Sequence, residues 1–179
     1  MLLILTGRIH SGKTTRLRRL VSEWRAQGIS LDGYLSPAVF ESGRRIGYDC
    51  LDLGTGDCLP FLRRRGEDGW ERVGPYFFIP QTLEKAKKMI RAHDLRKILV
   101  LDEIGPRELQ GGGVWPALEE ALCGLSLRCL LVVRKDILDR FRRTAQVRPE
   151  RVFAIDESGL PSALTAAVQA SLGSKGEQA

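Results

Sequence analysis

Residues 7–14 read Gly7-Arg8-Ile9-His10-Ser11-Gly12-Lys13-Thr14, a complete G-x-x-x-x-G-K-[ST] phosphate-binding loop. No other feature of the chain limits its fold as much, because such a loop works only between a buried strand and the start of a helix. Both flanks are present. The apolar run Leu2-Leu3-Ile4-Leu5 precedes it, and a helical pattern follows with Leu17, Leu20, Val21 and Trp24 on one face. Backbone N–H groups gathered around the positive end of a helix point at phosphate oxygens. Gly7 and Gly12 allow turns that a side chain would block. Lys13 can reach the β- and γ-phosphates, and the Thr14 hydroxyl can coordinate Mg²⁺. The chain is therefore expected to bind a nucleoside phosphate through residues 7–14 and the adjoining Thr15.

The order of patterns along the chain extends this expectation. Residues 29–37 read as a second strand. Residues 38–79 have a different texture: Ile46, Tyr48 and Cys50 alternate with smaller or polar residues, Gly54-Thr55-Gly56-Asp57 makes a turn, and Tyr76, Phe77 and Phe78 lie in a further extended piece. This predicts an antiparallel meander rather than a second domain. Pro80 and Thr82 open a helix with Leu83, Ala86, Met89 and Ile90 on its apolar face. Residues 98–101, 127–133 and 152–155 are short apolar runs of the kind that parallel strands show when covered on both faces. Helical patterns separate or follow them: Val114, Leu118, Leu122 and Leu125; Ile137 and Phe141; Leu160, Leu164, Val168 and Leu172. Strand–helix alternation of this kind predicts a three-layer α/β fold with a mainly parallel sheet and right-handed crossovers. One domain is expected over residues 1–173, with 174–179 as a flexible tail.

Composition narrows the class further. With 43% apolar and 28% charged residues the chain has the balance of a soluble globular protein. Its apolar stretches are far shorter than the ~20 residues a membrane helix needs, so no membrane partner is expected. Residues 1–6 enter a core strand without a basic n-region or cleavage site, which predicts a cytoplasmic protein. Cys50, Cys58, Cys123 and Cys129 have no C-x-x-C spacing and there are only two histidines, which argues for plain thiols and against zinc. The net charge of +6 comes mostly from arginine, 21 against 7 lysines. The run Arg63-Arg64-Arg65 lacks interleaved aromatics and reads as a solvated turn, so nucleic acid is not an expected partner.

A second motif supplies the acids. Lys97-Ile98-Leu99-Val100-Leu101-Asp102-Glu103 is an apolar strand ending in two carboxylates. In a nucleotide-binding sheet the first acid holds Mg²⁺, usually through water, and the second can orient or deprotonate the attacking water. Asp102-Glu103-Ile104-Gly105 also fits the D-x-x-G pattern of GTP switches. The chain contains no asparagine, so the Asn-Lys-x-Asp guanine reader of those switches cannot exist here. The long separation of Lys13 from Asp102 suits a sheet in which another strand lies between the loop strand and the acidic strand.

Three segments then carry a family resemblance: residues 7–15, Gly43-Arg44-Arg45-Ile46-Gly47-Tyr48-Asp49, and Leu101-Asp102-Glu103-Ile104-Gly105-Pro106-Arg107-Glu108. Together they resemble the THEP-type nucleoside-triphosphatases, a family that includes the cancer-related nucleoside-triphosphatase of animals and small thermophile enzymes. The resemblance runs from Leu2 to about Leu172, and the second and third segments are far more specific than the phosphate loop. It implies a RecA-like P-loop NTPase fold and slow, Mg²⁺-dependent hydrolysis of several nucleoside triphosphates. It also implies that Leu101, Asp102, Glu103, Ile104, Gly105, Pro106, Arg107 and Glu108 face the nucleotide with the loop. His10 stands where such loops often have Pro or Gly, and reads as a solvent-facing spacer.

The roles expected from these residues are Lys13 and the loop amides on the phosphates, Thr14 and Asp102 on Mg²⁺, and Glu103 on the water. Charge also builds on the γ-phosphoryl oxygens, where an arginine can add roughly 10³–10⁵ in rate. Arg134 and Arg107 both follow strands at their carboxyl ends, where ligands bind in such sheets, and Arg134 is the first choice. Two other functions stay open at this level. A small-molecule kinase would need a mobile, arginine-bearing lid, which residues 133–143 are basic enough to imitate. A slow NTP-dependent switch would use the same loop to time a partner's release.

Overall fold

A computed structural model describes residues 1–124 and 127–173. The chain runs β1 (Leu2–Gly7), α1 (Lys13–Ala26), β2 (Leu31–Leu35), β3 (Ala38–Glu41), β4 (Arg44–Asp52), β5 (Cys58–Arg63), β6 (Arg72–Val73) and β7 (Tyr76–Phe78). It continues with α2 (Pro80–Arg91), β8 (Ile98–Ile104), α3 (Trp115–Leu122), β9 (Cys129–Arg134), α4 (Leu138–Ala145), β10 (Arg151–Ala154) and α5 (Leu160–Gly173). Residues 174–179, expected to form a tail, and Leu125, expected to continue α3, lie outside the described residues.

One mixed sheet holds these strands in the order β10-β1-β9-β8-β2-β4-β5-β7-β6, with β3 beside β4. From β10 to β2 every pair is parallel. From β2 outward every pair is antiparallel. β9 stands between β1 and β8, the arrangement that the long spacing between loop and acidic strand calls for.

The core follows from the two-residue period of the strands. Leu99, Leu101, Leu131 and Val133 pack with Leu83, Ala86 and Ile90 of α2, Trp115 and Leu118 of α3, and Phe141 of α4. Their neighbours in sequence, Ile98, Val100, Leu130 and Val132, pack with Leu17, Leu20, Val21 and Trp24 of α1 and with Leu160, Leu164 and Val168 of α5. Each strand is thus apolar on both faces because helices cover both. Burying one Leu or Phe contributes about 1.5–3 kcal/mol, so these two clusters hold the carboxyl ends of β1, β8 and β9 in fixed relation.

The antiparallel half contains a close approach that explains part of the 43–49 segment. A Cβ on Gly47 would fall 1.9 Å from the Leu62 carbonyl oxygen of the neighbouring strand. Only glycine lets β4 and β5 come this close, next to the register shift between Tyr48 and Asp49. Among the described residues no helix is long and apolar enough to cross a membrane, and all four cysteines are free thiols, Cys50 and Cys129 buried and Cys58 and Cys123 exposed.

Candidate active site

The phosphate loop links the end of β1 to the first turn of α1. Gly7 is buried, and a Cβ there would lie 2.5 Å from Ile155 Cγ2 and 2.8 Å from Ser11 Oγ. Gly12 takes a left-handed conformation (φ +80°) immediately before the helix. The first turn of α1 has no side-chain cap and no acidic residue. Its leading amides therefore remain available to an anion, and the helix dipole favours one.

Lys13 is the buried cation of this loop, its side chain only 3% exposed. Its ammonium donates to the Arg8 carbonyl at 2.8 Å and to the Gly7 carbonyl at 3.4 Å. It also pairs with Glu103 Oε2 at 3.2 Å. Residues 90 apart in sequence meet because β9 spaces β1 and β8 one strand apart and both strands end at the same level.

Asp102 and Glu103 occupy different environments. In the β8–β9 register Asp102 is opposite Val132 and Ile104 is opposite Val133, so Glu103 is an extra residue in the strand. Leu101 and Ile104, three apart, accordingly sit in the same apolar cluster. Those two side chains are fully buried in the core and can border a ligand only through their backbone. Asp102 is also fully buried. Its Oδ2 accepts from the Ser36 amide at 3.2 Å, the Thr14 hydroxyl donates to the same carboxylate, and the Ser36 hydroxyl donates to the Asp102 carbonyl. Oδ1 has no partner. Desolvation pushes this carboxyl up to about 6, against the opposing hydrogen bonds from Thr14 and Ser36.

A buried carboxylate with one unpartnered oxygen beside a hydroxyl fits a hard divalent cation. No cluster of three or more His, Cys, Asp or Glu among the described residues could hold a metal by itself. Asp102 and Thr14 would therefore share a cation with water and phosphate oxygens, the usual manner of Mg²⁺.

The remaining expected residues are distributed unevenly. Arg134 is in register with Gly7 on the neighbouring strand, and its guanidinium grips the Asp136 carboxylate through Nε at 3.0 Å and through Nη2. Arg107 is held on Glu71 at 2.6 Å, and the same Glu71 oxygen accepts from the Gly113 amide. Gly105 and Pro106 are half-buried. Glu108 is buried and turns back on its own loop, accepting from the Gly105 amide at 2.9 Å. Arg8, Ile9, His10 and Thr15 are exposed. In the basic stretch 133–143, Val133, Ile137 and Phe141 are buried, while Lys135, Asp136, Asp139, Arg140 and Arg143 are exposed.

Two contributions went unread in the sequence. Ser36 orients Asp102 from the end of β2, and nothing in an isolated Ser-Pro pair signals it. Arg45 of β4 reaches the middle of the phosphate loop, where its Nη1 lies 3.1 Å from His10 Nδ1 and 3.0 Å from the Tyr48 hydroxyl. The 43–49 segment is specific as a motif, but its spacing alone gives no hint of that contact.

Burial raises the Glu108 carboxyl from 4.5 to about 7, with the Gly105 amide opposing and Glu71 and Glu103 adding. Because the folded value is the raised one, this group's contribution to stability is fully present below about pH 4.5. It is lost as pH rises through about 7, a change of about 3 kcal/mol. Glu108→Gln keeps the acceptor for Gly105 but never ionises. Its melting temperature should fall less than wild type between pH 5 and 8, with Asp102 accounting for the slope that remains. Parallel Tm–pH curves for the two proteins would rule out Glu108 as the source.

Comparison with known proteins places these features among relatives. A family model described as NTPase matches residues 2–160. The chain is 36% identical over 119 residues to nucleoside-triphosphatase THEP1 of Methanopyrus kandleri, covering 66% of this chain and 65% of that protein. It is 32% identical over 161 residues to the THEP1 of Archaeoglobus fulgidus, covering 88% and 91%. The match thus spans slightly less than two thirds of the length of the Methanopyrus protein, and nearly all of the Archaeoglobus one. The solution structure of a human cancer-related nucleoside triphosphatase superposes with a TM-score of 0.70 at 24% identity, covering 99% and 98% of the two chains. The crystal structure of THEP1 from Aquifex aeolicus gives 0.72 at 18% identity, covering 94% and 99%. At those identities the two structures speak for a shared fold.

Proposed function

The chain belongs to the nucleoside-triphosphatase (NTPase) family, and on that premise we propose that it hydrolyses nucleoside triphosphates to the diphosphate and inorganic phosphate. The observation that carries this reading is the meeting of Lys13 and Glu103 at 3.2 Å, which puts a phosphate-binding cation in direct contact with a carboxylate. A γ-phosphoryl group that reaches Lys13 exchanges its oxygens for the Glu103 carboxylate and the Gly7 and Arg8 carbonyls as partners of the ammonium. Glu103 is then released to accept a proton from water. The water oxygen bonds to the γ-phosphorus, the bond to the β,γ-bridging oxygen breaks, and the electron pair leaves with the diphosphate. The proton passes by way of Glu103 to the phosphate. Mg²⁺ held by Asp102 and Thr14 would neutralise charge on the β- and γ-phosphate oxygens.

The finer parts of the reading rest on the same residues. It takes residues 1–173 as one three-layer domain in which 38–79 form an antiparallel insertion. It takes nucleoside triphosphates as the substrates, and the free cysteines suit a cytoplasmic protein. Arg134 and Arg107 serve as charge compensators only if each gives up its carboxylate partner. Base recognition is loose, because no asparagine is available for a guanine reader. Stacking and shape separate ligands far less than buried hydrogen bonds do.

Phosphate release from ATP, GTP, CTP and UTP, with and without candidate acceptors, tests the proposal. Release should occur with water alone, and the four kcat/KM values should lie within about a hundredfold. Turnover that requires an acceptor would make the protein a kinase. A preference of about ten-thousandfold for one base would refute loose recognition.

A further inference from the structure

We infer that Arg45, delivered by β4 from the antiparallel half of the sheet, is the arginine that contacts the γ-phosphoryl group. This role rests on the hydrolase reading above and names a residue of its machinery. Arg45 differs from the two arginines that the sequence puts forward. Arg134 and Arg107 are each bound to a carboxylate, Asp136 and Glu71, and each would have to break an ion pair to reach a phosphate. Among the described residues Arg45 has no carboxylate within 4 Å in any ion pair. Its Nε is buried without a hydrogen-bond partner. A half-buried guanidinium in that state is an unbalanced cation, and burying charge without a counter-ion is costly.

Its surroundings fix where it points. The guanidinium stands over the Phe40 ring at 5.4 Å and the Tyr48 ring at 5.5 Å. The Arg45 carbonyl accepts from Arg64 Nε at 2.8 Å. Planar arginine held between aromatic faces is already oriented, so little rotamer freedom remains to be lost on meeting an anion. It presents Nη1 to His10, in the middle of the phosphate loop. The Tyr48 hydroxyl that it bonds also feels the Glu103 carboxylate. Arg45 thus meets the loop that also carries Lys13 and its partner Glu103, and the proposed role sets the oxygens that gain charge as the γ-phosphoryl bond breaks within reach of that loop. In this arrangement the His10 ring holds the donor that a phosphoryl oxygen takes over.

Single-turnover hydrolysis of ATP by wild type, Arg45→Ala, Arg45→Lys, Arg134→Ala and Arg44→Ala tests this, with affinities for ADP and for ADP plus aluminium fluoride. Arg45→Ala should slow hydrolysis by about 10–100-fold, the worth of one charge-assisted hydrogen bond in a site still open to water. It should leave ADP affinity unchanged and weaken the aluminium fluoride complex by the same factor as the rate. Arg45→Lys, which keeps stem and charge but loses the fork, should recover part of the rate and guards against misfolding of the alanine variant. Arg44→Ala, an equal loss of charge one residue away, should behave as wild type. Unchanged hydrolysis in Arg45→Ala, or equal losses of rate and ADP affinity in both Arg45 variants, would overturn the role. So would a larger rate loss in Arg134→Ala than in Arg45→Ala. A wild type that releases no phosphate from any nucleoside triphosphate would instead overturn the hydrolase reading, and this role with it.

Discussion

Glu103→Gln should bind nucleoside triphosphate as tightly as wild type and hydrolyse it about 10²–10⁴-fold more slowly, the range for losing a general base. That corresponds to about 3–5 kcal/mol in barrier. Glutamine fills the same volume at the irregularity of β8, so Asp102 and Ser36 should keep their places. What disappears is the acceptor for the water proton and one partner of Lys13. Loss of that partner works in favour of binding, because Lys13 no longer has an ion pair to exchange for the phosphate. Tight binding with slow chemistry is therefore the signature of the base. If Glu103 only balanced the charge of Lys13, turnover would stay near the wild-type rate. Equilibrium affinity and single-turnover rate, measured on one preparation, separate the two cases.

Lys13→Ala should damage both quantities. The ammonium is buried against the Gly7 and Arg8 carbonyls, so it is already oriented when substrate arrives. Removing one preorganised donor from a phosphoryl or acyl transfer site costs about 10²–10³ in kcat. The variant also leaves Glu103 without its cation and loses charge facing the bound ground state, so nucleotide affinity should fall too. A melting curve distinguishes this from unfolding, since Lys13 opens α1 but contributes no apolar core. A variant that hydrolyses ATP at the wild-type rate would place the chemistry elsewhere.

How much of this was legible in the sequence differs from one residue to the next. The loop and its helix were legible because everything they need is local: Gly7 and Gly12 for the turns, and Leu17, Leu20 and Trp24 for the buried face of α1. The acidic strand was legible because an apolar run ending in two acids has few uses beside such a loop. Simple alternation along a strand would point Asp102 and Glu103 in different directions. The fold reaches their separation by an extra residue in β8, and no propensity announces that. Leu101 and Ile104 both pack in one core cluster because the extra residue between them brings positions three apart onto the same face, which alternation alone does not foretell. Arg45 and His10 were illegible as a pair. Their contact depends on how far β2, β4 and β8 lie across the sheet from β1, a non-local quantity that no window of residues contains.

The ladder between β2 and β4 has two register pairs, Tyr34 with Asp52 and Leu35 with Leu51. That seam is one of the links between the Arg45 side of the sheet and the loop side, beside the Arg107–Glu71 pair and the apolar cluster that both halves share. A change there touches no phosphate, yet it shifts one wall of the site against the other. In an assay it would resemble an active-site lesion, with weakened turnover and an intact nucleotide loop. The reverse holds as well. The β1, β8 and β9 ladders share a fault among four to six register pairs, whereas the seam has two, extended by the Leu53 amide on the Gly33 carbonyl and the Asp49 amide on the Pro37 carbonyl. Variation in this protein should therefore be judged by its distance from the joint between the two halves, as well as by its distance from the nucleotide.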